Sequence, residues 1–168
     1  IVAGDPDQRT GGYIYDARMV KELRRQGCRV EVVGLEGHFP LPDSLARSSL
    51  AQALARLPDG ACVVIDGLAM GGLPEEVERQ AERLRIIALV HHPLADETGL
   101  DLAEQRALRD SEARALAAAR RVIVTSHYTS RALGEYGVPA ERRRVVQPGV
   151  DTAPRASGAR ARRGTSRP

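Results

Sequence analysis

The clearest structural signal in this chain is the segment Arg85-Ile86-Ile87-Ala88-Leu89-Val90-His91-His92-Pro93. Its short apolar run, bounded by a basic helix end and a polar loop, is typical of a buried parallel strand. In an open α/β sheet, ligands bind just beyond the carboxyl ends of such strands. The sequence therefore predicts a ligand-binding edge at His91 and His92, whose imidazoles titrate and form hydrogen bonds.

Strand and helix signals alternate through most of the chain. Short apolar runs predict the strands, and apolar residues at helical spacing predict the helices. The predicted strands are 1–3, 30–33, 61–65, 85–90, 122–125 and 144–146, and the predicted helices are 13–26, 43–57, 101–120, 126–136 and one that starts at Pro74. This alternation predicts an α/β fold: a Rossmann-like open parallel sheet with helices on both faces.

The positive charge of the chain is concentrated near its end. Five arginines and no acidic residue lie in 152–168, and without those five arginines the net charge of +3 becomes −2. The Arg, Ala, Gly, Ser and Pro composition of this segment is typical of disorder. We therefore predict a folded domain over 1–151 and a disordered Arg-rich tail over 152–168. Aromatic residues make up 3% of the chain, too few for a nucleic-acid stacking surface, so nucleic acid is not the expected partner.

The chain carries no sequence signal for a membrane or a secretory route. No apolar run approaches the roughly 20 residues of a membrane helix, and no signal peptide is visible. Cys28 and Cys62 have no second Cys or His at metal-ligand spacing, so we expect small buried thiols rather than a disulfide or a metal site. These features predict a cytoplasmic protein, with peripheral contact to the inner membrane face left open.

Two glycines join the first predicted strand to the first predicted helix, in Thr10-Gly11-Gly12-Tyr13. Glycines at such a joint let the backbone approach a ligand, and the free N–H groups of the helix attract an anion such as phosphate. They also serve in ordinary turns. The spacing is not G-x-G-x-x-G, which argues against a nicotinamide oxidoreductase. Asp16, one turn further on, either accepts a hydrogen bond from a polyol or simply favours the helix dipole.

The residues after the fourth predicted strand are the next candidates. Adjacent side chains at a strand end diverge, so we expect at most one of His91 and His92 to face the cleft. A structural imidazole bonded to the backbone is the alternative for either. Glu97 and Thr98 follow in the same loop, where they either orient a sugar hydroxyl or form a turn.

Polar residues also follow the third and fifth predicted strands, at Asp66-Gly67 and Thr125-Ser126-His127. A serine and a histidine that are adjacent in sequence do not make a catalytic pair, because triad partners converge in space. A G-x-S-x-G elbow is absent as well. Ser126 is therefore either a helix cap or a substrate-binding hydroxyl.

Four segments, taken in order, resemble the N-terminal half of a GT-B glycosyltransferase of the retaining family 4. Thr10-Gly11-Gly12 is similar to the glycine-rich loop of that family, and Leu89-Val90-His91 to its strand-end histidine. Val122 to Ser126, with Tyr128-Thr129-Ser130, resembles its strand–serine–helix segment. Val146-Gln147-Pro148-Gly149-Val150-Asp151 is similar to the V-x-P-N-G-V-D sequence that leads into the second domain, with the Asn missing or shifted to Gln147.

The resemblance implies transfer of a sugar, with retention at the anomeric carbon. The donor would be a nucleotide-diphosphate sugar and the acceptor a glycan, a lipid or a small molecule, without a resident cofactor or metal. By the same resemblance, His91 is the catalytic candidate that contacts the donor sugar or supports its leaving phosphate. Gly11 and Gly12 would line the cleft, and Asp16 would lie on the acceptor side.

The donor-binding second domain of that family is not seen after Asp151. We therefore expect this chain to be incomplete and to be weakly active or inactive alone. The alternative is a non-catalytic α/β binding module that docks a partner protein or a separate C-terminal donor domain.

Overall fold

A computed structural model describes residues 1–152 of the chain. Strands and helices alternate in this part, as the sequence predicts. The strands are Val2–Ala3 (β1), Gly34–Leu35 (β2), Cys62–Asp66 (β3), Arg85–Val90 (β4), Arg121–Val124 (β5) and Arg143–Val145 (β6). The helices are Gly11–Arg25 (α1), Ser44–Ala55 (α2), Gly67–Met70 (α3), Pro74–Glu78 (α4), Leu102–Ala118 (α5) and His127–Ala132 (α6), with short 3₁₀ helices at Leu94–Asp96 and Ala140–Arg142. The prediction of an α/β, Rossmann-like fold with parallel strands flanked by helices is confirmed.

All strand pairs are parallel. β1 pairs with β2, and β3 to β6 form a four-stranded sheet in sequence order. Two backbone contacts join the two groups: the Ile1 ammonium donates to the Val64 carbonyl at 2.8 Å, and the Asp66 N–H donates to the Ile1 carbonyl at 2.9 Å. The strands therefore lie in the order β2-β1-β3-β4-β5-β6. After β1 the chain adds β2 on one side, and it then crosses back to add β3 to β6 on the other side of β1.

Side chains placed before the helices fix where they begin. Asp43 caps α2 and Ser126 caps α6, and Asp101 forms a capping box with Glu104 at the start of α5. In each case a side-chain oxygen accepts a hydrogen bond from an N–H group that has no partner inside the helix. Pro74 occupies the first turn of α4, where its missing N–H costs nothing. These helix starts are as predicted.

The predicted second strand is wrong in position. Strand pairing falls on Gly34–Leu35 rather than on 30–33, because β1 aligns Val2 with Gly34 and Ala3 with Leu35. Gly34 is required there: a Cβ on it would lie 2.3 Å from the Gly4 carbonyl oxygen. Gly34 is thus a point at which two backbones approach too closely for a side chain.

Other predicted boundaries change as well. The first helix begins at Gly11 rather than at 13, so Gly11 and Gly12 lie in its first turn. The residues after β3 form α3, which is capped by Asp66, and only then a turn to Pro74. The predicted helix 126–136 ends as an α-helix at Ala132. The chain then turns to Gly137, which has a φ of +75° that suits glycine.

The hydrophobic core lies between the sheet and its helices. Strand residues Ile65, Ile86 and Val124 are buried, as are helix residues Leu50 and Leu116. The two cysteines lie outside this core: Cys28 and Cys62 are free and exposed. The expectation of buried thiols is therefore wrong.

Among residues 1–152, no helix has the length and apolar character needed to cross a membrane. The predicted disorder of the Arg-rich tail concerns 152–168, of which 153–168 lie outside the described residues.

Candidate functional site

The polar residues of interest lie at the carboxyl edge of the sheet, where the strand order reverses. Asp66 ends β3, His91 follows β4, and α1 begins after the loop that leaves β1. In open α/β folds a crevice forms at such a reversal, because neighbouring connections leave the sheet in opposite directions. The topology therefore brings three separate segments of the chain to one opening.

Three side chains meet at this opening. His91 Nε2 lies 3.2 Å from Asp16 Oδ1 and 3.4 Å from Asp66 Oδ2. All three side chains are partly buried, so water screens their charges less than it would on the surface. His91 is thus the shared partner of a carboxylate from α1 and a carboxylate from β3.

This arrangement sets the charge of His91. Burial lowers its pKa, but the hydrogen bonds and charges of Asp16 and Asp66 outweigh that effect and raise the pKa to about 9. The ring is therefore an imidazolium at neutral pH.

The ring of His91 is enclosed by α1. A Cβ placed on Gly12 would lie 3.2 Å from His91 Cδ2 and 3.3 Å from its Nε2, so only glycine leaves the ring its present position. The Tyr15 ring packs edge-on against the imidazole, with centroids 5.4 Å apart. The Tyr15 hydroxyl donates to the Val146 carbonyl at 2.9 Å, which fixes the tyrosine in turn.

The backbone of His91 is also held. Its carbonyl oxygen accepts hydrogen bonds from the hydroxyls of Thr129 at 3.0 Å and Thr125 at 3.3 Å. Both threonines belong to the segment that follows β5. Side-chain and backbone contacts together thus hold His91 in one position before any ligand arrives.

The start of α1 is suited to an anion. Its first turn contains no acidic residue, and the Thr10 side chain makes no capping hydrogen bond. The N–H groups of this turn therefore have no capping side chain, and the helix dipole adds partial positive charge there. A Cβ on Gly11 would meet nothing within 4 Å, which leaves the backbone open to approach.

The second histidine lies apart from this cluster. His92 Nε2 lies 2.7 Å from Glu97 Oε1, in the loop that includes Thr98. Both His92 and Thr98 are exposed. The expectation that the two histidines diverge is confirmed, whereas substrate binding by His92, Glu97 and Thr98 stays a prediction.

Ser126 has a structural role in the described residues. Its Oγ accepts the Thr129 N–H at 3.0 Å, as a helix cap does, and lies 2.9 Å from the Thr129 hydroxyl. Through Thr129 it also supports the carbonyl of His91. A direct contact of Ser126 with substrate stays a prediction.

Asp16, Asp66 and His91 are also residue types that bind metal ions. The donor atoms of Asp16, Asp66 and His91 lie within 4.8 Å of one another, which is close enough to share an ion. Ion pairs between a charged imidazole and two carboxylates account for the same spacing. The cluster therefore does not require a metal.

Asp66 is the residue that sequence reasoning missed. Its position at a strand end is visible in the sequence, but the spatial neighbour that gives it a role, His91, is 25 residues away. The signal that could have found it is the order of the strands: β3 and β4 are adjacent and parallel, so the residues that follow them must meet at one edge.

Comparison with known proteins gives a partial match. Residues 76–154 match the model of the family described as Glycosyltransferase Family 4. A search of curated proteins found no match. The matched segment begins in α4 and includes His91, His92 and Ser126, but not Gly11, Gly12, Asp16 or Asp66. The match supports a domain of the glycosyltransferase family 4 type, and with it a glycosyltransferase-like function that acts on sugar-related substrates.

Proposed function

We propose that this chain forms the acceptor-side domain of a retaining glycosyltransferase of the GT-B type. The observation that carries the proposal is the placement of His91. It is an enclosed imidazole at the reversal point of a parallel sheet, between two carboxylates, in the segment that matches the family. Fold alone would not assign this function, since many activities share it.

In the proposed reaction a sugar moves from a nucleoside diphosphate to an acceptor hydroxyl. The bond from the anomeric carbon to the phosphate oxygen breaks, a bond to the acceptor oxygen forms, and the acceptor proton ends on the departing phosphate. Negative charge develops on that phosphate, and positive charge on the sugar. The His91 cation and the N–H groups at the start of α1 would stabilise the phosphate. Asp16 would accept a hydrogen bond from a sugar hydroxyl.

The donor in this proposal is a nucleotide-diphosphate sugar, and the acceptor is a glycan, a lipid or a small molecule in the cytoplasm. The proposed sugar transfer requires charge stabilisation and orientation rather than a redox or carrier group. We therefore propose that the protein uses no resident cofactor. The site lies on one open edge of the described domain. Because water screens charge at an open edge, we expect sugar transfer by this chain alone to be weak.

Ligand binding tests the proposal directly. The 168-residue chain, labelled on its histidine rings, is titrated with UDP-glucose, GDP-mannose and the corresponding free sugars, and the ring signals are followed by NMR. We expect the His91 signals to move with at least one probe. His91→Ala should weaken that binding, measured by calorimetry, by about tenfold or more, which is the effect of losing one charged hydrogen bond. His127→Ala, at an exposed position on α6, is the control and should bind as the parent chain does.

The outcomes separate the two candidate functions. Binding that depends on His91, together with slow release of nucleoside diphosphate, supports the glycosyltransferase. If none of these probes moves the His91 signals and no transfer is detected, the proposal fails. The non-catalytic binding module then becomes the better account of the domain.

A further inference from the structure

Asp66 makes two contacts at once. Its Oδ1 accepts the Leu68 N–H at 2.7 Å and so caps α3, while its Oδ2 lies 3.4 Å from His91 Nε2. Because the backbone of α3 fixes one carboxylate oxygen, the other is held toward the imidazole. Asp66 lies outside the segment that matches the family, and the sequence patterns gave it no role.

Asp16 reaches the same nitrogen from α1, at 3.2 Å. Two acceptors on one ring nitrogen require that Nε2 carry its proton. In residues 1–152 the ring hydrogen bonds of His91 all involve Nε2, which leaves Nδ1 for a ligand. An imidazole that gives Nε2–H to carboxylates and also holds a proton on Nδ1 is both a cation and a hydrogen-bond donor.

We infer that Asp66 and Asp16 are positioning residues, which hold His91 as an imidazolium and reserve its Nδ1–H for an oxygen of the substrate. Asp66 supplies a carboxylate whose direction is fixed by a helix cap, and Asp16 supplies one from the helix that encloses the ring. The inference rests on the proposed function for the identity of the substrate. What it states about the charge of His91 is testable with no substrate present.

Other titratable groups face the same cluster. The Ile1 ammonium lies near Asp66 and Asp16: burial lowers its pKa, and the two carboxylates oppose that effect. Burial and the same carboxylates raise the pKa of Tyr13, while burial and Asp16 raise that of Tyr15. Because several groups share the two carboxylates, an overall pH profile would not single out His91. The measurement must follow the His91 ring itself.

The experiment is an NMR titration of the histidine rings in the 168-residue chain without ligand. We expect the midpoint of His91 near pH 9 in the parent chain. Asp66→Asn and Asp16→Asn should each lower that midpoint by about 1 pH unit or more, the usual effect of one adjacent charge. Asn still caps a helix, so Asp66→Asn removes the charge while keeping the contact with Leu68. Asp16→Glu should restore part of the shift.

Asp101→Asn is the matched control, since Asp101 also caps a helix, α5, but makes no contact with His91. It should leave the His91 midpoint unchanged. A parent midpoint near 6.5, or a shift in Asp66→Asn no larger than in Asp101→Asn, would overturn the inference. If Asp66→Asn fails to fold, the His91 midpoint in Asp16→Asn tests the inference instead. Asp16 caps no helix, so we expect that variant to fold. If no sugar binding is detected, the proposed function fails. The result on the charge of His91 remains valid, because it is measured without ligand.

Discussion

His91 and His92 are neighbours at the end of one strand, yet their surroundings differ completely. The side chain of His91 is 21% exposed and lies between two carboxylates from other elements. That of His92 is 53% exposed and meets one carboxylate from its own loop. Successive side chains at a strand end point in opposite directions. The chemistry of each imidazole is therefore set by the residues that the fold places beside it.

The backbone on either side of the pair is also held by different means. The carbonyl of His91 accepts two threonine hydroxyls from beyond β5. The loop after His92 is tied at Leu94, whose N–H donates to Glu112 Oε2 at 2.9 Å. Glu112 is 1% exposed, and its Oε1 has no hydrogen-bond partner within residues 1–152. One support consists of neutral hydroxyls, and the other of a buried acid.

The largest expected effect concerns this buried acid. Burial raises the pKa of Glu112 to about 8, although the Leu94 N–H opposes the shift. The folded state therefore binds a proton that the unfolded state releases above pH 4.5. This contribution to stability is complete below pH 4.5 and is lost as the pH rises through 8. Within that window the free energy of unfolding should fall by up to about 1.4 kcal/mol per pH unit, and Glu112→Gln should flatten this decline.

Urea unfolding at pH 5, 6, 7 and 8 measures the effect. Some decline should remain above pH 6.5 in Glu112→Gln, because the raised pKa of His91 makes a contribution that is lost through pH 9. Glu76→Gln is the control: Glu76 is also buried, but it pairs with Arg47 and Arg79. That variant should lose stability without a flatter curve. If the free energy of unfolding falls equally with pH in Glu112→Gln and in the parent chain, Glu112 is ionised in the folded state.

The second prediction concerns the space beside the His91 ring and its effect on sugar binding. Gly12→Ala places a methyl group about 3.2 Å from the ring, so the imidazole must shift or leave its preferred rotamer. Such a displacement costs about 0.5–1.5 kcal/mol, and sugar binding should weaken by roughly three- to tenfold. Binding of the probe identified by NMR is measured by calorimetry.

Gly11→Ala provides the paired measurement. A methyl group there meets nothing within 4 Å, so its effect on binding should be smaller than that of Gly12→Ala. Alanine is also the better helix former. If Gly11→Ala and Gly12→Ala weaken sugar binding equally, the backbone of this turn sets the affinity, rather than the space beside His91.

The parts of the fold that sequence predicted are those governed by local chemistry. The helices that Asp43 and Ser126 cap begin where the sequence predicts, and the apolar run 85–90 forms a strand with the predicted bounds. The second strand was misplaced because its pairing is decided by β1, which is far away in sequence. A local pattern of apolar residues at 30–33 could not show that β1 aligns with Gly34.

The candidate site follows the same division. Sequence placed His91 and Asp16 at one edge from the order of elements alone. It could not show that Asp66 completes the cluster, because that depends on the distance between two strand ends. It could not show either that the charge of His91 is fixed by two carboxylates, since burial and partner distance arise only on folding.

The smallest effect tests the support beneath His91. Thr129→Val keeps the shape of a buried side chain but removes the hydroxyl that donates to the His91 carbonyl at 3.0 Å. The same hydroxyl lies 2.9 Å from Ser126 Oγ, which keeps the Thr129 N–H as a partner in the variant. We expect the free energy of unfolding to fall by about 1 kcal/mol, the usual net value of one hydrogen bond. Thermal unfolding measures it.

Thr125→Val is the paired variant, because Thr125 donates to the same carbonyl over the longer distance of 3.3 Å. Its loss should be smaller than that of Thr129→Val. The two threonines share one acceptor, so the double variant should lose more than the sum of the single ones, since it leaves the carbonyl without either donor. No loss of stability in either single variant or in the double variant would show that these hydroxyls do not hold the carbonyl. The fixed position of His91 would then depend on Gly12, Tyr15 and the two carboxylates.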